Sequence, residues 1–173
     1  MVNIFLLGDD CGGVGLKICR ALSNYGGVIH ITDKTFTFHS TGKLCFSVSH
    51  WKTLPKIFSP NCVVFLKSSE DAKKIDCTEN SDIIIISPDS PVGLNCITYG
   101  FSEKCSISLS STETPCPCVS IQHPFICADG TTAEISEITV ETSPDIWESS
   151  YELLEVCAVA AACGLCKGGI IQI

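Results

Sequence analysis

The sequence predicts an α/β protein: a mostly parallel sheet flanked by helices, with a small antiparallel β extension in the second half. Three features of the chain point there. Residues 1–33 read as strand, glycine-rich turn, helix and strand, the opening of a parallel sheet. Residues 83–87 are four isoleucines and a serine, the composition of a central strand covered on both faces. After Gly100 the apolar runs give way to serine-rich alternation, which suits antiparallel strands with one solvated face.

The elements follow in order. VNIFLLG is an apolar run closed by glycine, hence a buried first strand. Residues 8–15, GDDCGGVG, read as a loop, and Ile18, Leu22 and Tyr25 then fall at helical spacing until Gly26 and Gly27 end the helix. Residues 28–33 form the second strand. Residues 35–39 and 44–48 pair as a small hairpin across Ser40, Thr41, Gly42 and Lys43. Residues 62–66 are a buried strand, and 68–75 a short polar helix or loop. SPDSP turns the chain after the isoleucine strand, and residues 95–99 form a strand ending at Gly100.

Beyond it, residues 105–109, 119–127 and 133–141 read as antiparallel strands. Pro124 breaks the middle one and argues for an edge, and Asp129-Gly130 marks a turn. Ser143 and Pro144 then read as cap and first turn of a helix running through Trp147, Tyr151, Leu154 and the alanine-rich 156–162 to Gly164. A helix this apolar is expected to be buried against the sheet. No repeat, linker or internal boundary interrupts the pattern, so residues 1–173 read as one domain.

Composition narrows the classes of function. Of 173 residues, 45% are hydrophobic and 17% charged, which excludes a disordered chain. The net charge of −8 argues against a nucleic-acid binder, because such proteins neutralise phosphates with lysine and arginine. The apolar runs 83–86 and 156–163 are far shorter than the roughly 20 residues that span a bilayer. The first residues lack a basic segment, and Asp9 and Asp10 interrupt their apolar run, so neither a signal peptide nor a membrane partner is expected. The expected location is cytoplasmic.

Thirteen cysteines, an odd number without a secretion signal, do not read as a disulfide framework. Cys45, Cys62, Cys96 and Cys157 sit in apolar strings, where cysteine behaves as a small hydrophobe. Cys116/Cys118 and Cys163/Cys166 have ligand-like spacings, but the 44 residues between the pairs fit neither a zinc ribbon nor a finger. No metal site is assigned. CGLC closes a helix instead of opening one, which is the wrong place for a redox motif. The histidines His30, His39, His50 and His123 are scattered, and no Ser-His-Asp or Cys-His arrangement stands out, so no catalytic residue is assigned.

The glycine segment carries the most chemical content. A strand, a glycine turn and a helix N-terminus aim backbone N–H groups and a positive dipole end at one place, which suits a phosphate. Gly8, Gly12, Gly13, Val14, Gly15 and Lys17 are therefore the candidate nucleotide- or phosphate-binding residues, with ATP or another nucleotide and Mg²⁺ as the implied cofactor. The alternative is a tight turn with no ligand. The Walker pattern is incomplete: Gly8-x₄-Gly13 is present, yet Leu16 stands where the lysine belongs and Lys17 where Ser or Thr belongs. A Rossmann fingerprint fails at Ile18. Tyr99, Glu103 and Lys104, at a strand end where open α/β sheets place ligands, are the second candidate group. A solvated turn is the commoner reason for a pair such as Glu103 and Lys104, and Glu134, Glu137 and Glu141 read as a solvent-facing strand edge.

Taken together, FLLGDDCGGVGLK, ITYGFSEK, VSIQHPFICADGTTAEISEITVE and YELLEVCAVAAACGL make a chain that resembles the central, nucleotide-binding domain of the Mur ligases. These are ATP-dependent amide ligases of peptidoglycan synthesis. The resemblance is best over residues 83–165 and implies a phosphate loop, parallel strands running into a TYG turn, a small antiparallel sheet and an alanine-rich helix. The family's loop carries Gly-Lys-Thr/Ser, which Leu16 and Lys17 replace, and its substrate-binding and ligase domains have no counterpart here. Its acidic Mg²⁺ ligand and modified lysine find no matching position. The loop also resembles the K-G-G-V-G-K-T of chromosome-partitioning ATPases, sharing its glycines and neither lysine.

Phosphoryl transfer depends on metal and lysine electrostatics, so the expectation is a non-catalytic ligand-binding or regulatory module for a small phosphate-containing ligand. The rivals are a nucleotide-dependent, ligase-like enzyme and an interaction protein that forms homo-oligomers through a sheet edge.

Overall fold

The computed structural model describes residues 2–8, 12–25, 28–31, 35–39, 46–51, 61–75, 83–89, 96–112, 116–142, 147–166 and 168–173. Its strands are β1 (Val2–Leu7), β2 (Val28–Ile31), β3 (Thr35–His39), β4 (Phe46–Trp51), β5 (Cys62–Leu66), β6 (Ile83–Ser87), β7 (Cys96–Gly100), β8 (Ile107–Ser111), β9 (Cys118–Ile121), β10 (Phe125–Ile126), β11 (Thr132–Ala133), β12 (Ser136–Glu141) and β13 (Ile170–Gln172). The helices are α1 (Gly12–Ser23) and α2 (Ser150–Ala162), with a 3-10 turn at Ser69–Lys74. The fold is α/β, as expected. No helix among the described residues is long and apolar enough to cross a membrane.

An 11-stranded sheet in the order β13-β12-β9-β8-β7-β6-β5-β1-β4-β3-β2 forms the frame, with β10 and β11 as a separate hairpin. Its middle, β4-β1-β5-β6-β7-β8, is parallel throughout. The antiparallel extension is β8-β9-β12, with β13 added parallel to β12. The isoleucine strand β6 is central, paired in parallel on both sides.

Alternation sorts the strand side chains between two faces. Val2, Ile4, Leu6, Val63, Phe65, Ile86, Ile97, Tyr99 and Ile107 point to the face that α1 and α2 cover, and join one large core. Leu7, Val64, Leu66 and Ile85 point to the other face, where Ala72 of the 3-10 turn and Ile75 just after it meet them. Parallel strands buried on both faces account for the unbroken apolar runs of β5 and β6.

Several expectations are corrected. The loop expected over residues 8–15 is shorter, because the helix already begins at Gly12. Glycine interiors cost a helix stability, and the burial of Val14, Ile18, Cys19, Ala21 and Leu22 offsets that. The expected helix stop at Gly26 and Gly27 lies outside the described residues. The second strand does not lie beside the first: β4 takes that place, and β2 ends at the sheet edge, antiparallel to β3. Phe46 and Val48 supply the reason, since both are fully buried beside β1. The hairpin of β3 and β4 forms, while its turn at residues 40–43 lies outside the described residues.

The strand expected over 105–109 runs from Ile107 to Ser111 and pairs with β7 in parallel, not only antiparallel with β9. Only six residues connect β7 to β8, too few for a crossover. The stagger makes one unnecessary: Tyr99 and Gly100 at the end of β7 meet Ile107 and Ser108 at the start of β8. The strand expected over 119–127 splits at Pro124 into β9 and β10, because proline has no N–H for the ladder. That expected over 133–141 likewise splits into β11 and β12. The final helix starts at Ser150, not Ser143, and residues 143–146 lie outside the described ones.

Candidate functional site

Helix α1 follows β1 and returns across the sheet, and α2 lies beside it. The first turns of α2 sit over the carboxyl ends of β5 and β7, where its Glu155 meets Tyr99 beside the Leu66 carbonyl. Val14 from the start of α1 and Ser149, Tyr151 and Glu152 from the start of α2 line the same crevice, with Lys67 just past β5. Its volume is about 260 Å³. Open α/β sheets place their ligands at the carboxyl ends of the strands.

Local sequence explains how each wall is built. Gly8 ends β1 at φ +136°, a backbone conformation that side chains oppose, and so lets the chain leave the sheet for α1. Its N–H donates to the Trp51 carbonyl at 3.4 Å. Its carbonyl lies 2.6 Å from His50 Nε2, and since a carbonyl only accepts, that nitrogen carries the proton. At α2, the Ser149 hydroxyl accepts from the Glu152 N–H at 3.2 Å, and the Glu152 carboxylate accepts from the Glu148 N–H at 3.1 Å. This is a capping box shifted by one residue on its return bond.

The sequence-predicted residues do not act as one group. Gly13 is exposed at the start of α1, with open space where a Cβ would be. Gly12 opens the helix, while Val14 and Gly15 are buried in its first turn. Lys17 leaves the glycine segment altogether. Its ammonium pairs with Glu152, lies 3.9 Å from Glu148 and stands 5.8 Å from the Trp147 ring centroid. Tyr99 is fully buried, stacked on Phe65 at 5.6 Å and tilted against Tyr151 at 5.7 Å. Glu103 and Lys104 are exposed in the turn between β7 and β8.

Sequence reasoning missed the centre of the crevice, Glu155. Only 3% of it is exposed. Burial pushes its carboxyl up to about 7, Lys67 pulling it down and Glu152 pushing it further up. Burial, then the charge of Glu155, raises Tyr99 well above the usual phenol range and raises Tyr151 in the same direction. One charged residue inside LLEVCAVAAA was the available signal, since a glutamate in a buried helix is seldom placed there for packing. Lys67, Glu148, Ser149, Tyr151 and Glu152 offered none, because their meeting depends on how α2 docks.

The cysteines behave differently. Burial pushes Cys19 and Cys166 up to about 12 and raises Cys62, Cys127, Cys157 and Cys163 as well, so these thiols stay protonated inside the core. Among the described residues no group of three or more His, Cys, Asp or Glu is arranged to hold a metal ion. Compared with known proteins, the chain matches no family and no curated sequence.

Proposed function

We propose that this chain is a non-catalytic ligand-binding or regulatory module that holds a small phosphate-containing molecule, such as a nucleotide, in the crevice between α1 and α2. In this reading it is a degenerate relative of the Mur ligase central domain. Two helix N-termini at one sheet end favour a ligand with negative charge, through their backbone N–H groups and positive dipole ends.

The observation that carries the non-catalytic half is the placement of Lys17. It sits five residues into α1, which puts its Cα about 7.5 Å along the axis from the first residue. Its ammonium is held by Glu152, Glu148 and Trp147. A lysine so engaged does not supply the transition-state charge that phosphoryl transfer requires.

A thermal-shift screen with ATP, ADP, GTP and UDP-sugars, with and without Mg²⁺, tests this reading. A bound nucleotide at about 100 times its Kd stabilises by roughly 2.7 kcal/mol. The Gly13→Asp variant is expected to lose that shift: an added side chain meets open space, and an acid at a helix start helps the helix. Absence of any shift overturns the ligand-binding reading. Mg²⁺-dependent release of phosphate from ATP overturns the non-catalytic half. It would favour the enzyme reading, for which a buried glutamate poised near neutrality is the natural acid or base.

A further inference from the structure

We infer that an anionic ligand enters the crevice together with one proton, taken up by Glu155, so that this residue sets the pH range of binding. The inference rests on the ligand-binding reading above and names its regulation.

The hydrogen-bond geometry is the first argument. The Tyr99 hydroxyl lies 3.2 Å from the Leu66 carbonyl and 3.5 Å from Glu155 Oε1. It donates to the Glu155 carboxylate, which by itself lowers that carboxyl, and it also meets the Tyr151 hydroxyl. One phenol proton cannot serve three acceptors at once, so this bond offsets only part of the cost of burying the charge, and burial wins at Glu155.

Charge is the second argument. From its own helix Glu155 faces Glu152 and Tyr151, with Glu148 just before the helix start. From β5 it faces Lys67, and from β7 Tyr99. Lys17 of α1 is paired with Glu152, while Asp89 past β6 and Cys105 past β7 act on the neighbouring Tyr151. With Glu155 ionised, three glutamates stand against two lysines in the crevice, one negative charge in excess before Asp89 is counted. A phosphoryl group adds roughly −1.5 to −2 more. Like charge raises a carboxyl pKa further, and Glu155 is the group whose burial has already brought it near neutrality. It is the acid that takes the proton.

The test is calorimetric titration of ADP, without Mg²⁺, into the wild type and Glu155→Gln. Runs at about pH 6 and about pH 8.5, in two buffers of different ionisation heat, read affinity and proton uptake together. The wild type is expected to bind about tenfold more weakly at the higher pH, and there to take up about a third of a proton more than the variant. The variant is expected to change by less than about threefold, following only the titration of ADP itself. Equal pH dependence and equal proton uptake in the two proteins overturn the inference and leave the ligand-binding reading standing. No binding by either protein at either pH overturns that reading, and the inference with it. Carbon NMR of the ligand-free protein adds a direct check. A Glu155 carboxyl midpoint close to the ordinary 4.5 overturns the inference, and one near 7 supports it.

Discussion

Glu155 destabilises the fold in its charged form, and the sign follows from proton linkage. Its folded value, about 7, lies above the ordinary 4.5. Between those values the folded chain keeps a proton that the unfolded chain has lost, so stability falls as pH rises through that window. On the alkaline side the loss is about 3 kcal/mol. Urea denaturation is expected to find Glu155→Gln more stable than the wild type at pH 8 by about 2–3 kcal/mol, with the gap closing toward pH 4.5. Equal stability at both pH values would contradict this placement of the carboxyl. Lys17 and Glu152 form a second testable pair, their side chains only 12% and 14% exposed. A double-mutant cycle with Lys17→Met and Glu152→Leu is expected to show a coupling of at least about 0.5 kcal/mol, and strict additivity would deny the contact. Glu155 was legible in the sequence as a lone charge in an apolar run. The partner of Lys17 was not, because 134 residues separate it from Glu152 and nothing local joins them.

Among the elements, α2 shows most clearly what local sequence decides. Its start rests on the Ser149 hydroxyl accepting from Glu152 N–H. Ser149→Ala is expected to lower stability by about 1 kcal/mol, read from the shift of the denaturation midpoint. Its end is a Schellman turn: Leu165 N–H donates to Ala160 and Gly164 N–H to Ala161, with Gly164 at φ +80°. A Cβ at Gly164 would collide with the Asp129 carboxyl, which Thr131 holds through its N–H and hydroxyl. Gly164→Ala should therefore cost more than the roughly 1–2 kcal/mol of left-handed backbone strain alone. A neutral outcome would contradict the close approach. The stop at Gly164 was legible from its glycine. The start was not, because Ser143-Pro144-Asp145 carries the same signals as Ser149-Ser150-Tyr151-Glu152 and stands six residues earlier. Strands β1, β5, β6 and β7 declared themselves through apolar runs. The pairing of β4 with β1 did not, since it depends on contacts between segments more than 40 residues apart.

At the scale of the whole molecule, topology gathers the chemistry at one end. The strands β1, β5 and β7 are parallel members of one block, so their carboxyl ends share a side, and α1 and α2 bring their first turns back to it. Residues from opposite ends of the chain, Val14 and Glu155, therefore line one crevice. Chemical-shift mapping of the ¹⁵N-labelled chain with ADP tests most directly that this crevice is where a ligand binds. The result expected is a cluster of shifted amides at Gly13, Val14, Gly15, Lys67 and residues 149–155, weakened in Gly13→Asp. Shifts confined to the β10–β11 hairpin or the β13 edge, or no shifts at millimolar ADP, would contradict it.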